Sequence, residues 1–124
     1  MRIYLVDDEQ IVTTTLQGFL AGLGHEVIAA SSARELFEHL VMSSRPADLI
    51  ISDLYMPDQN GLDLVREAHQ RYPDVPIVLM TGYVPTFSPQ EALAQGVCAY
   101  LRKPIHLGEL ELLILRLSQG RARV

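Results

Sequence analysis

The stretch from residue 49 to 57, Leu49-Ile50-Ile51-Ser52-Asp53-Leu54-Tyr55-Met56-Pro57, decides the fold. Three apolar residues in a row, two of them β-branched, run straight into a polar pair without alternating. A strand with no polar face is covered on both sides, the condition of a strand inside a parallel sheet. Outward from it, a short apolar run followed by helical spacing occurs five times in all. The other runs are Ile3-Tyr4-Leu5-Val6, Val27-Ile28-Ala29-Ala30, Ile77-Val78-Leu79-Met80 and Ala99-Tyr100-Leu101-Arg102.

The segments between the runs read as helices. Ile11, Val12, Leu16, Phe19, Leu20 and Leu23 recur at helical spacing, and Gly24 suits a helix stop. Ser32 is a cap for a second helix with Leu36, Phe37, Leu40 and Val41 on its apolar face. A third starts near Asn60-Gly61, carries Leu64, Val65, Ala68 and Tyr72 inward, and stops before Pro73. Ser88-Pro89-Gln90-Glu91 is a capping box with proline at the first helical position, opening a short helix that Gly96 closes. The last helix spans about Leu107 to Leu117. Strands alternating with helices through right-handed crossovers predict an α/β domain, a doubly wound five-stranded parallel sheet with five helices. One domain covers residues 1–118, and residues 119–124 form a tail or the start of a linker.

Composition removes several classes of function. The chain has 124 residues, ten Lys+Arg against fifteen Asp+Glu, and a formal charge of -5. Hydrophobic residues at 48% and charged ones at 20% fit a packed globule and exclude a disordered acidic tail. Scattered arginines on an acidic chain do not make the basic stripe that nucleic acid requires. No run approaches the ~18 apolar residues of a membrane span. The four before Asp7-Asp8-Glu9 are too few for a signal-peptide core. One cysteine, Cys98, excludes an internal disulfide and reads as a small buried hydrophobe. The expectation is a cytoplasmic domain that contacts neither membrane nor nucleic acid. Lys103 is the one lysine among the ten basic residues.

In such a sheet all strands point their carboxyl ends to one edge, where ligands bind. The first run ends at Asp7-Asp8, the third at Asp53, the fourth at Thr81 and the fifth at Lys103. The second ends only in Ser31-Ser32, as an edge strand away from a site would. Two carboxylates ~5 Å apart repel by ~3 kcal/mol at an effective dielectric near 20, so three together call for a counter-charge. All-oxygen ligation is how proteins hold Mg²⁺. A carboxylate, a metal, a hydroxyl and a lysine are the parts that move a phosphoryl group onto an aspartate. Taken singly each has a plainer reading: an acidic helix start for Asp7-Asp8-Glu9, a turn residue for Thr81, a solvated charge for Lys103, a core ring for Tyr100. His25, His39, His69 and His106 lie on separate elements without metal spacing.

Together the motifs carry a resemblance. Val6-Asp7-Asp8-Glu9, Ser52-Asp53-Leu54-Tyr55-Met56-Pro57 with Gly61, Met80-Thr81-Gly82 and Tyr100-Leu101-Arg102-Lys103-Pro104 resemble the response-regulator receiver family, over essentially the whole chain. The resemblance implies a flavodoxin-like sheet of order 2-1-3-4-5. It implies that Asp53 accepts a phosphoryl group from a histidine kinase or phosphotransfer protein. Asp8 would bind Mg²⁺, with Mn²⁺ as the substitute ion, helped by Asp7, Asp53 and the backbone carbonyl of Tyr55. Lys103 would pair with the phosphoryl oxygens, Thr81 would hydrogen-bond one of them, and Gly82 would leave room. Tyr100 would be the ring that follows Thr81 inward, and the Lys103-Pro104 peptide would be cis. The chain would catalyse only its own phosphorylation and dephosphorylation.

Further expectations concern output and rate. Helix four, strand five and helix five would form the switched surface, with Leu112 and Leu115 outside the buried stripe of Leu110, Leu113, Ile114 and Leu117. They would meet a second copy, an output domain or an effector; the alternative is that they pack under the tail. Tyr55 and Tyr83, two residues beyond Asp53 and Thr81, would slow loss of the phosphoryl group by crowding water. Pro85 and Pro89 flank a longer loop than the family's pattern, and a displaced or shortened fourth helix would put the usual output surface in doubt. A contact-only binding module would lack Asp53, an acidic-pair member or Lys103, and this chain has them all. An aspartyl phosphatase would carry a second Asp where Tyr55 stands. A flavin carrier would follow Val6 with a loop rich in Ser, Thr and Gly.

Overall fold

The computed structural model describes residues 1–56, 61–82 and 88–122, with the side chains of Pro89 and of residues 120–122 excepted. Strands and helices alternate: β1 (Arg2–Val6), α1 (Gln10–Gly22), β2 (Glu26–Ala30), α2 (Ala33–Met42), β3 (Leu49–Asp53), α3 (Gly61–Arg71), β4 (Ile77–Thr81), α4 (Pro89–Ala94), β5 (Val97–Arg102) and α5 (Leu107–Ala122). All four strand pairings are parallel, in the order β2-β1-β3-β4-β5. This is the flavodoxin-like order expected.

The apolar runs are buried as a parallel sheet requires. Residues 3–6 of β1 and all of β3 and β4 are covered on both faces, whereas the edge strands β2 and β5 are only partly so. Because side chains alternate across a strand, two cores form. Tyr4, Val6, Ile50 and Leu79 pack with Leu36, Phe37, Leu64, Val65 and Ala92 from α2, α3 and α4. Ile3, Leu5, Ile51, Val78 and Met80 pack with Leu16, Leu20, Leu110 and Ile114 from α1 and α5. The helix stops at Gly24 and Gly96 have φ of +94° and +92°, a region only glycine enters freely.

Five local expectations differ from the structure, the first being that Leu23, 40% exposed, falls at the C-cap beyond the last turn of α1. Ile11 is 83% exposed, because α1 buries Thr13, Leu16 and Leu20. Two residues before Thr13 lies the opposite side of a helix that turns about 100° per residue. Val41 is exposed at the edge of the α2 stripe, in that helix's last turn. Cys98 is exposed, since β5 is an edge strand. Finally, α5 continues five residues past Leu117 to Ala122: no proline intervenes, and one mid-helix glycine costs only ~1 kcal/mol relative to alanine. Among the described residues no helix is long and apolar enough to cross a membrane.

Candidate functional site

The site is assembled at the carboxyl ends of four strands. At the end of β1 the Asp7 amide donates to Ala30 O of β2 at 3.1 Å, and the Asp7 carboxylate accepts from the Glu9 amide at 2.9 Å. Asp7 is thereby turned inward and 99% buried, while Asp8 stands exposed beside it. Asp53 ends β3 beside them, also buried; the Leu54 amide donates to Met80 O at 2.8 Å and ties the chain to β4. Gly61 at the start of α3 sits so close to Leu54 that a Cβ there would lie 2.6 Å from the Leu54 backbone. At the end of β5 the Lys103 amide donates to Thr81 O at 2.9 Å, so these two residues are placed as a unit. The Lys103-Pro104 peptide is cis.

One ammonium is shared by three carboxylates. Lys103 Nζ lies 2.9 Å from Asp7 Oδ2, 2.9 Å from Glu9 Oε1 and 3.1 Å from Asp53 Oδ2. Burial disfavours the Lys103 charge, but the three carboxylates outweigh it and raise its pKa. Burial also pushes the Asp53 carboxyl up; the Lys103 hydrogen bond pulls it down, the charge of Asp7 adds to the rise, and the net direction is upward. Asp8 brings a fourth carboxylate, and single oxygens of Asp7, Asp8 and Asp53 lie within 4.8 Å of one another.

The donor set fits a hard divalent cation. Asp7 Oδ2 is buried, and among the described residues its one polar partner is the Lys103 ammonium at 2.9 Å. Carboxylate oxygens grouped around a position open to water suit Mg²⁺, which keeps part of its water shell. Asp7 and Asp8 also line a 330 Å³ cavity with Gln10, Thr13, Ser31 and Glu35, which leaves space beside the acidic pair.

The other expected residues divide into three groups. Thr81 is buried at the end of β4, and among the described residues a Cβ on Gly82 would meet nothing within 4 Å. Tyr100 is half-buried against the core that contains Tyr4 and Ala92, while its neighbour Leu101 faces the other core. Tyr55 is largely exposed and its amide approaches Asp53 Oδ1 at 3.4 Å. Leu112 and Leu115 are 50% and 51% exposed on α5. Leu112 lines a 150 Å³ pit with Leu113, Glu109 and Arg116 of α5 and residues 99–101 of β5, so the strand that carries Tyr100 runs along this surface while its ring packs on the opposite face. Tyr83 and Pro85 lie outside the described residues.

Glu9 is the member of this cluster that sequence reasoning missed. Its contact with Lys103 spans 94 residues, and the only signal available was its place directly after the acidic pair.

The response regulator receiver domain model matches residues 3–115. Over 108 residues the chain is 37% identical to the DNA-binding transcriptional regulator NtrC of Azospirillum brasilense, covering 87% of this chain and 22% of that protein. It is 33% identical to the response regulator protein PilR of Pseudomonas aeruginosa, covering 91% of this chain and 25% of that one. Thus it spans a quarter or less of each. Among solved structures, a response regulator receiver domain protein from Clostridium thermocellum superposes with a TM-score of 0.87 at 27% identity, over 99% of this chain and 98% of the other. The chemotaxis protein CheY4 of Vibrio cholerae gives 0.84 at 27% identity, over 94% and 97%. With the sheet order, the motifs on four strand ends and the match over nearly its full length in agreement, this chain belongs to the response regulator receiver domain family.

Proposed function

We propose that the chain is a phosphorylation switch whose acceptor is Asp53. The observation that carries this reading is the excess of charge: Asp7, Glu9 and Asp53 meet one ammonium and Asp8 stands beside them, four carboxylates to one cation in a pocket that buries two of them. A stabilising ion network would be nearer to balance, since an unpaired buried charge costs several kcal/mol. A pocket that receives a divalent cation and a phosphoryl group has reason to keep the surplus.

An Asp53 carboxylate oxygen attacks phosphorus as the bond from phosphorus to the donor breaks. When the donor is a phosphohistidine, the imidazole nitrogen leaves with the electron pair. Asp7, Asp8, Asp53 and the Tyr55 carbonyl would hold Mg²⁺, which supplies charge neutralisation for the phosphoryl oxygens. Lys103 already contacts Asp53 and pairs with the transferred group, and Thr81, fixed to Lys103 through the backbone, hydrogen-bonds it. Gly82 leaves the space open. The donor partner is a histidine kinase or phosphotransfer protein of the cytoplasm.

The response leaves through Tyr100, whose ring packs on the core that contains Leu79 and Ala92 and whose strand runs beside the pit at Leu112. The exposed Leu112 and Leu115 then meet a second copy, an output domain or an effector; sedimentation of the phosphorylated chain should show association that Leu112→Glu weakens, and a monomer throughout rules out self-association. Tyr55 and Tyr83, two residues past Asp53 and Thr81, are both assigned the role of crowding the attacking water from their spacing. Tyr55→Asn or Tyr83→Glu should shorten the life of the phosphorylated state; equal decay in the parent makes both tyrosines bystanders. Residues 1–118 form the receiver, and residues 119–124, which begin as the continuation of α5 through Ala122, are a tail or the start of a linker. The test of the reading is intact mass after exposure to a small acyl-phosphate donor. One phosphate is expected with Mg²⁺ and none with excess chelator, and equal uptake in chelator contradicts it.

A further inference from the structure

Glu9 occupies the N-cap of α1, where Ser, Thr, Asp or Asn normally turns a side-chain oxygen onto the first helical amides. It does not do this. Its backbone carbonyl accepts from Val12 and Thr13, but its side chain makes no capping bond. Instead the carboxylate extends to Lys103, 94 residues away, at 2.9 Å. Its backbone is fixed for that reach by the bond from its amide to Asp7. A shorter side chain would cap the helix but fall short of Lys103.

An ammonium has three N–H donors, and Lys103 meets Asp7, Glu9 and Asp53. Asp7 and Asp53 belong to the cluster that would hold a cation, whereas the Glu9 oxygen is not among the oxygens of that cluster. A cation drawing Asp7 and Asp53 to itself takes two of the three partners from Lys103 and repels its charge. Glu9 is the partner that remains. We infer that Glu9 is a positioning residue for Lys103: it holds the ammonium at the mouth of the pocket once a divalent cation claims Asp7 and Asp53. This rests on the metal-and-acceptor reading above, and it assigns the preparation of the pocket before any phosphoryl group arrives to a residue that is not a metal ligand.

The test uses unphosphorylated protein. Because Lys103 is the chain's one lysine, isotope-labelled lysine gives a single side-chain resonance. With saturating Mg²⁺ that resonance should stay dispersed in the parent and collapse toward the free-lysine position in Glu9→Gln. Glu9→Asp should behave like Glu9→Gln, since it keeps the charge but loses the reach. By calorimetry Glu9→Gln should weaken Mg²⁺ binding by about three- to fivefold, the scale of one partly exposed ion pair. In a Lys103→Met background the same change should cost less than about twofold, because coupled residues are not additive. An equal or larger cost without the lysine, full retention in Glu9→Asp, or a Lys103 resonance indifferent to Glu9 overturns the inference. A parent that binds no Mg²⁺ overturns the metal reading beneath it, which separates the two failures.

Discussion

Two sets of charges on this molecule follow opposite rules. On the helix surfaces, Arg34 pairs with Glu38, Arg66 with Asp63 and Arg71 with Glu67, each within one turn, one cation to one anion, open to water. At the strand ends, one lysine from the end of β5 faces Asp7 and Glu9 from after β1 and Asp53 from β3, with Asp7 and Asp53 buried. Surface pairs of the first kind contribute ~0–1 kcal/mol and are readily lost or gained. The second kind is unbalanced, long-range and desolvated. It carries an electrostatic cost, and a divalent cation bound there would relieve it. Cavity size misleads here. A groove of 870 Å³ between α2 and α3, lined by Phe37, Val41, Met42 and the two locally paired arginines Arg34 and Arg71, exceeds the 330 Å³ space beside Asp7 and Asp8, yet its charges are already matched.

The contrast is sharpest when a cation is supplied. A ligand of the native state present at one hundred times its dissociation constant adds ~2.7 kcal/mol. For a domain of this size that raises the melting temperature by about 8 °C. Asp8→Ala should remove most of the gain, and a parent melt unmoved by saturating Mg²⁺ would count against a metal site.

Removing the ammonium is the next largest step. Lys103→Met leaves buried carboxylates facing one another and should cost ~2 kcal/mol in chelator, or about 6 °C, a figure kept below that of a fully buried pair because Lys103 is partly exposed. Mg²⁺ should restore nearly all of it. By contrast, Arg34→Ala should shift the melt by less than about 2 °C in either condition. Similar losses for the two variants would erase the distinction between the two charge sets.

The pH dependence separates the two ions within the site. Asp53 titrates above its ordinary value of 3.8, so the folded state holds its proton more tightly than the unfolded state does. Stability from this group therefore falls as pH rises from 3.8 through the folded value, and stays lost at neutrality. Lys103 is raised above 10.5, so its contribution is complete below that and disappears only in strong alkali. In chelator, the melting temperature of Asp53→Asn relative to the parent should climb between pH 3 and 7. A flat difference would mean that the Asp53 pKa is not raised.

Much of this was legible in the sequence because a parallel sheet writes itself plainly. Ile50 and Val78 need apolar cover on both faces, so their strands appear as unbroken runs, and the residue ending each run must lie at one edge. That logic locates Asp7, Asp53, Thr81 and Lys103 without coordinates. Helix faces were less clear. Ile11 continues an apolar spacing, but the sheet takes Thr13, and only packing shows which side of α1 faces inward. The end of α5 was read too early because a helix with no breaker gives no stop signal. Glu9 was missed for a different reason: a contact across 94 residues leaves no periodicity to read.

Mass mapping of the phosphorylated chain tests the central claim most directly. Parent protein and Asp53→Asn are exposed side by side to the same small acyl-phosphate donor in saturating Mg²⁺. The account expects one phosphate on the parent, on the peptide that carries Asp53, and none on the variant. A phosphate retained by Asp53→Asn, or mapped elsewhere in the parent, would contradict the assignment of the strand-end pocket as the acceptor site.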